Sequence, residues 1–250
     1  MGGALLEGWL AAGRDPRTIV VVEPNPAPMD TLTRPGLTVL PEPPSNPASV
    51  LVIAVKPQVV RDVLPSLVPL RDSQTVLISI AAGITSQTLG ELGPGPIVRA
   101  MPNTPAAVGK GVTSAVGFGL TDAQRKLADT LLRAAGRVEW LDDEALMDAA
   151  TGVSGSGPAY VFYLVECLAK AGEAEGLPPE TAMALARETI IGAGALLDRS
   201  DLDPATLRRN VTSPGGTTAA ALDVLMGEDA LEALVTRAVA AAAQRSRELA

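Results

Sequence analysis

Short runs of β-branched residues divide this chain into two parts. Residues 18–22 read Thr-Ile-Val-Val-Val, and residues 49–55 read Ser-Val-Leu-Val-Ile-Ala-Val. Continuous runs of this kind are typical of strands buried on both faces of a parallel sheet. Five further short runs occupy residues 37–40, 75–80, 97–101, 113–116 and 138–141. No such run follows Met147, so any sheet is confined to the part of the chain before it.

Helical patterns separate several of these runs. They cover residues 4–12, 58–68 and 121–135, and the last begins with Thr121 followed three residues later by Gln124, as in a capping box. Alternation of strands and helices is typical of an open, doubly wound α/β sheet. We therefore predict a first domain over residues 1–147 with this architecture.

The remainder, residues 148–250, is predicted to be all-helical. Pro158 suits the first turn of a helix, and that helix is apolar on both faces. Its apolar residues are Val161, Leu164, Val165 and Leu168 on one side and Tyr160, Tyr163 and Cys167 on the other. Further helices are predicted over residues 179–197, where Gly192 and Gly194 would allow close approach of another backbone, and over 229–248. A helix that is apolar all round requires cover on several sides. We therefore expect a homo-oligomer, at least a dimer through these helices, and expect Cys167 to be a small core side chain.

Composition excludes several kinds of catalysis. The chain has no histidine and one cysteine, which argues against zinc sites, Ser-His-Asp or Cys-His nucleophiles, haem ligation and disulfides. We predict no metal site and expect a cofactor to carry the chemistry.

Charge and hydropathy limit the partners and the location. The net charge is −8 and the isoelectric point is about 4.7, which is unsuited to binding a phosphate backbone. The longest apolar stretches are shorter than the ~18 to 20 residues that span a bilayer. The first residues lack the pattern of a secretory signal. We therefore expect no nucleic-acid or membrane partner and a cytoplasmic location.

Four motifs occur in order along the chain. They are Ala54-Val55-Lys56-Pro57-Gln58, Arg99-Ala100-Met101-Pro102-Asn103-Thr104-Pro105-Ala106, Ser154-Gly155-Ser156-Gly157-Pro158-Ala159-Tyr160 and Val211-Thr212-Ser213-Pro214-Gly215-Gly216-Thr217-Thr218. Together they resemble the pyrroline-5-carboxylate reductase family over essentially the whole chain. The resemblance implies a Rossmann-like domain that binds NADPH or NADH and a helical dimerisation domain. It also implies hydride transfer to the cyclic imine 1-pyrroline-5-carboxylate, the last step of proline biosynthesis.

The N-terminus departs from the family pattern. Gly2 aligns with the third glycine of the dinucleotide fingerprint, and the strand and two glycines that precede it in the family are missing. Met1 and Gly2 are therefore the expected remainder of the pyrophosphate cradle. A chain extended upstream is expected to bind the cofactor more tightly and to be more stable.

Other cofactor contacts are expected at the carboxyl ends of strands, where open α/β sheets bind ligands. Glu23 follows the first strand and can accept hydrogen bonds from the adenosine ribose, which favours NADH, or it is a solvated loop charge. After the strand at residues 49–55, Lys56 can offset phosphate or carboxylate charge, or it is simply exposed. The resemblance adds Asn103 and Thr104 near the nicotinamide, and the alternative is a rigid turn capped by Asn103. The cofactor set is Met1, Gly2, Glu23, Ala54, Val55, Lys56, Pro57, Asn103 and Thr104.

The substrate is expected at residues 213–218. Consecutive Pro-Gly-Gly-Thr-Thr before an apolar helix presents several backbone N–H groups at a positive helix end, which suits a carboxylate. The resemblance implies that the hydroxyl of Thr218 lies by the imine nitrogen, as the catalytic hydrogen-bond partner. The alternative is that Thr217 or Thr218 is an ordinary helix cap. The predicted substrate residues are Ser213, Gly215, Gly216, Thr217 and Thr218.

Two other functions stay open from sequence alone. A 3-hydroxyacid-type dehydrogenase shares the architecture, but such enzymes use a lysine on the helical domain. Lys170, the only lysine there, lies in no recognisable motif of that kind. The incomplete glycine turn raises the second alternative, a non-catalytic dimeric module. Assays with pyrroline-5-carboxylate and with 3-hydroxyacids distinguish the reductase from the dehydrogenase. A measurement of NAD(P)H binding distinguishes the reductase from the non-catalytic module.

Overall fold

The computed structural model describes residues 1–25 and 34–249. These residues form two compact units. The first contains Met1–Gly155 together with the chain end from Ala242, and the second is Ser156–Ala241. The functional division expected after Met147 stays a prediction, since compactness alone does not assign roles.

The described residues of the first unit form seven strands, one in each predicted run. They are β1 (Val20–Val22), β2 (Thr38–Leu40), β3 (Val50–Ile53), β4 (Val76–Ser79), β5 (Ile97–Met101), β6 (Gly111–Phe118) and β7 (Gly136–Trp140). Strands β3 to β7 form one sheet in sequence order, whereas β1 pairs with β2 in a separate parallel sheet. Within the larger sheet, β6 runs antiparallel to β5, and the other pairings are parallel.

Helices cover both faces of the larger sheet. They are α1 (Gly2–Ala11), α2 (Pro57–Leu67), α3 (Ser86–Gly90), α4 (Asp122–Arg133) and α5 (Met147–Ala150), followed by a π-helix over Thr151–Gly155. Leu5 of α1 and Leu132 of α4 belong to the same buried cluster as Val98 of β5. Val60 of α2 lies in a second cluster with Leu77 of β4. The doubly wound α/β prediction is confirmed, as is the Thr121–Gln124 capping box that begins α4.

The second unit is built from helices, as predicted. They are α6 (Gly157–Ala174), α7 (Pro179–Arg199), α8 (Pro204–Asn210), α9 (Thr217–Leu225) and α10 (Leu231–Leu249), whose last turns belong to the first unit. The short helix α8 was not predicted. Pro158 lies in the first turn of α6. Cys167 is exposed, so its expected place in the core was wrong. No element of its own unit covers that side of α6.

The end of the chain docks on the first unit. The Ser246 Oγ donates a hydrogen bond to Asp148 Oδ1 over 2.6 Å. Gly83 has a φ of +73°, and a Cβ there would lie 2.9 Å from the Leu249 carbonyl oxygen. Both the left-handed backbone and the close approach require glycine. The loop after β4 is therefore shaped to receive the C-terminal helix.

Over the ranges 1–25 and 34–249, no helix is long and apolar enough to cross a bilayer.

Candidate active site

The start of α1 lies against the end of β3. A Cβ on Gly2 would come within 2.8 Å of the Ala54 Cβ, whereas a Cβ on Gly3 would meet open space. The first bond of the helix runs from the Leu5 N–H to the Met1 carbonyl, so the amides of Gly2, Gly3 and Ala4 have no partner within the helix. Such a terminus binds anions such as phosphate. The structure thus places Met1 and Gly2, at a helix N-terminus with free amides, directly against Ala54 at the end of β3.

A second helix begins at the same strand end. Lys56 is the N-cap of α2 without a side-chain capping bond, and Pro57 is its first residue. Ala54, Val55 and Lys56 are exposed. The Lys56 ammonium is therefore open to solvent, beside the Gly2–Ala54 contact, where it can meet an anionic ligand.

Glu23 lies directly beyond β1 and is half-buried. Its N–H donates to the Leu40 carbonyl, which extends the pairing of β1 and β2 by one residue. Its Oε1 accepts the Asn25 N–H at 2.9 Å. The carboxylate thus helps to form the turn that leaves the strand.

Asn103 and Thr104 follow β5 but differ in their environment. Thr104 is exposed and opens a short 3₁₀ turn, Thr104–Val108, that contacts α1. Asn103 is 8% exposed. Its side chain does not cap the turn; Oδ1 accepts the Val112 N–H at 2.9 Å and Nδ2 donates to the Ser154 carbonyl at 3.1 Å. Asn103 thus occupies the N-cap position of the turn, but its side chain does not make the capping bond that the alternative interpretation required.

The predicted substrate residues lie in the second unit, at the start of α9. The N-cap of this helix is Gly216, with no side-chain capping bond, so neither Thr217 nor Thr218 is the helix cap. Gly215 has a φ of +70°, and a Cβ on Gly216 would come within 2.6 Å of the Ser213 Oγ. Glycine at both positions is what lets the chain turn tightly into the helix.

Several donors at this helix start have no internal partner. The first helical bond joins the Ala220 N–H to the Gly216 carbonyl, which leaves the amides of Thr217, Thr218 and Ala219 without helical acceptors. The structure assigns no hydrogen bond to either threonine hydroxyl from any described residue. Thr218 is half-buried and Thr217 exposed. This arrangement is suited to an anionic group that also carries a hydrogen-bonding nitrogen.

A buried ion pair near the end of the first unit was missed by sequence reasoning. Arg99, in the middle of β5, donates from Nη1 to Glu144 Oε1 over 2.9 Å, and its side chain is 7% exposed. Glu144 also accepts hydrogen bonds from the Ser86 N–H and Oγ. Burial acts to raise the pKa of Glu144, but the bonds from Ser86 and Arg99 outweigh it and hold that pKa below its usual value. An arginine within an apolar strand run was the only sequence signal of this pair.

No cluster of three histidine, cysteine, aspartate or glutamate side chains suited to a metal ion occurs in the described part of the chain.

Two family models match this chain in consecutive regions. Residues 1–83 match the model described as NADP oxidoreductase, coenzyme F420-dependent. Residues 144–249 match the model described as pyrroline-5-carboxylate reductase dimerisation. Together with the fold, these matches define the class: an NAD(P)H-dependent oxidoreductase with a dinucleotide-binding domain followed by a helical dimerisation domain.

Whole-chain comparisons identify the family. A pyrroline-5-carboxylate reductase of Pseudomonas aeruginosa is 47% identical over 81% of this chain and 75% of its own. The solved structure of a pyrroline-5-carboxylate reductase from Coxiella burnetii is 34% identical, with a TM-score of 0.93 over 100% of this chain and 94% of that one. A Plasmodium falciparum pyrroline carboxylate reductase with NADP bound is 30% identical, with a TM-score of 0.81 over the same shares. The chain belongs to the pyrroline-5-carboxylate reductase family.

Proposed function

We propose that this enzyme reduces the cyclic imine 1-pyrroline-5-carboxylate to L-proline with NADPH or NADH. Residues 1–147 hold the cofactor, and residues 148–250 dimerise and hold the substrate. Family membership supports the reaction. The unpartnered amides and hydroxyls at the start of α9 carry the assignment of the substrate site.

The cofactor is held at the carboxyl ends of β1, β3 and β5. Met1 and Gly2 present the helix amides to the pyrophosphate, and Lys56 offsets its charge. Glu23 accepts a ribose hydroxyl, and its negative charge disfavours a 2′-phosphate. When bound, NAD(P)H supplies the hydride that reduces the imine carbon. Ala54, Val55 and Pro57 shape the wall of the site, and the turn that starts at Thr104 orients the nicotinamide end.

The substrate carboxylate binds the backbone of Gly215 to Thr218. Because its charge is fixed throughout the reaction, these amides act mainly in binding and orientation. Ser213 packs against Gly216 and keeps the turn tight. The Thr218 hydroxyl donates to, or accepts from, the ring nitrogen as its charge and protonation change, which orients the imine for attack. Neither role requires a histidine or a metal.

We also propose that the enzyme is at least a dimer through its C-terminal helices and acts in the cytoplasm. The large apolar side chains exposed on α6 and α10 support the first point. The net charge of −8 disfavours a nucleic-acid partner.

Replacing Thr218 tests the substrate site. If its hydroxyl stabilises the transition state more than the ground state, Thr218→Ala lowers kcat/KM. A hydrogen bond to a charged group contributes about 1.5–3 kcal/mol, or roughly tenfold to a hundredfold in rate. Thr218→Ser keeps the hydroxyl and is expected to keep most of the activity. Thr189→Val, which removes a helical hydroxyl bonded only to the Leu185 carbonyl, is the matched control for losing a hydroxyl.

Steady-state rates and melting temperatures are measured together on all three variants. A Thr218→Ala variant that is less stable yet fully active would show that the residue only supports the helix. If the enzyme oxidises NADH with a 3-oxoacid, the oxidised form of a 3-hydroxyacid, but does not oxidise it with the imine, the dehydrogenase alternative is favoured. Failure to bind NAD(P)H at all would favour the non-catalytic module.

A further inference from the structure

Asn103 joins three segments of the first unit. It lies between β5 and the 3₁₀ turn Thr104–Val108, accepts the amide of Val112 in β6, and donates to the carbonyl of Ser154 in the π-helix. Both bonds lie within the first unit. An asparagine is suited to this position because its side chain carries an acceptor and a donor at a fixed spacing.

The π-helix that receives this bond is itself closely packed. A Cβ on Gly155 would come within 2.8 Å of the Met101 methyl and 3.3 Å of Thr151 Cγ2. Within the helix, the Thr151 hydroxyl donates to the Met147 carbonyl and the Ser154 hydroxyl to the Ala150 carbonyl. Single-turn π-helices are rare and frequently occur at functional sites. Here the π-helix forms the last residues of the first unit before α6 begins.

The environment of Asn103 disfavours direct recognition of the cofactor by its side chain. Both polar atoms already have protein partners at hydrogen-bond distance, and the residue is 8% exposed. A cofactor contact would have to use the second N–H or the second oxygen lone pair of a side chain that is almost fully buried and already held at both ends. The exposed neighbour Thr104 has no such constraint.

We propose that Asn103 is a positioning residue for hydride transfer. Through its two bonds it fixes the loop that orients the nicotinamide against the π-helix from which the substrate-binding part of the chain departs. The inference rests on the proposed function, because it assumes that the loop after β5 faces the nicotinamide. Small displacements of a reacting group reduce turnover strongly even where binding is unchanged.

Asn103→Asp tests this role. The substitution keeps the shape and the acceptor for Val112 but replaces the donor to Ser154 with a carboxylate oxygen, which repels that carbonyl. We expect kcat to fall about tenfold to a hundredfold, while the dissociation constant for NADPH, measured by fluorescence titration, stays within about twofold. The isotope effect on kcat with hydride-deuterated NADPH is expected to rise, because poor alignment makes the chemical step rate-limiting.

The controls separate this role from simpler ones. Asn46→Asp introduces the same charge in an exposed loop of the first unit and is expected to leave all three quantities unchanged. Asn103→Ser, which is neutral and too short to reach both partners, is expected to reproduce the fall in kcat and the rise in the isotope effect. It also serves as the test if the aspartate variant does not fold.

Other outcomes would overturn the proposal. A loss of NADPH affinity with native kcat at saturation would make Asn103 a cofactor ligand. A lower melting temperature with native kcat and isotope effect would make it structural only. If the native enzyme does not reduce the imine, the proposed function fails first. If it does and both Asn103 variants match it, only the positioning role fails.

Discussion

The two units of this chain bury different kinds of side chain. In the first, large aliphatic residues such as Leu77 and Val98 are fully buried on the two faces of the sheet. In the described part of the second unit, the buried residues are alanines: Ala169, Ala182 and Ala186. The large apolar side chains there, including Phe162 at 62% exposed, remain on the surface. The first unit has its own core, whereas the second depends on what covers it, in agreement with its match to a dimerisation domain.

The contrast predicts unequal costs for removing a leucine. Leu77→Ala in the centre of β4 is expected to lower the free energy of unfolding by about 2–5 kcal/mol, because it leaves a cavity in a closed core. Leu185→Ala in α7, at a position 54% exposed within its chain, is expected to cost much less at concentrations where the subunits are dissociated. Denaturant titration at low and high protein concentration measures both. Equal costs at low concentration would contradict the comparison.

Charge on the apolar face of α6 is expected to separate subunits. Phe162→Asp places a carboxylate where we expect an interface core, and a central residue of this type contributes about 2–4 kcal/mol to association. The dimer dissociation constant is therefore expected to rise at least ~30-fold. Sedimentation analysis measures it, and Val68→Asp, at a 50% exposed position of the first unit, is the matched control. A Phe162→Asp protein that stays dimeric would move the interface elsewhere.

The Arg99–Glu144 pair predicts an acid-sensitive contribution within the first unit. Because the pKa of Glu144 is lowered in the folded protein, its stabilisation is present above the pKa of the unfolded chain, about 4.3. It is lost as the pH falls through the lower folded value. Glu144→Gln is expected to lower the free energy of unfolding by about 1–3 kcal/mol at pH 7. Between about pH 5 and pH 3, the free energy of unfolding of this variant is expected to fall less than that of the native protein.

Melting curves of the native protein and of Glu144→Gln at several pH values test this prediction. Arg245→Gln is the control. Arg245 belongs to an exposed ion pair with Glu248, which is expected to contribute little. Parallel acid profiles for the native and Glu144→Gln proteins would contradict the assignment.

Local features of the fold could be predicted from the sequence, and long-range ones could not. The Thr121–Gln124 capping box is complete within four residues, so its pattern was sufficient. The bonds of Asn103 reach Val112 and Ser154, and no periodicity reports such partners. Helix α8 is only one or two turns long and carries no apolar face for a pattern to detect. The placement of β1 and β2 in a separate sheet likewise depends on pairing, which strand propensity does not specify.

At the predicted site, the motifs located the segments but not the role of each side chain. The Gly215–Gly216 turn could be predicted from its two glycines. The structure shows why each must be glycine: Gly215 has a positive φ, and a Cβ on Gly216 would clash with Ser213. That Gly216 and not a threonine is the N-cap depends on a shift of one residue in the helix start, which is finer than sequence patterns resolve.

The docking of the C-terminal helix has a consequence for biosynthesis. Gly83 and Asp148 belong to the first unit, yet their partners Leu249 and Ser246 follow the second unit in the chain and are synthesised after it. Ribosomes add about 5–20 residues per second, and N-terminal domains commonly fold while the rest is still being made. Here the first unit acquires its last packing contacts only after the entire helical unit has emerged. Until then the C-terminal helix does not cover the loop after β4. A nascent chain stalled before Ala242 is therefore expected to be cleaved by protease in this loop, whereas the released chain is expected to resist cleavage there.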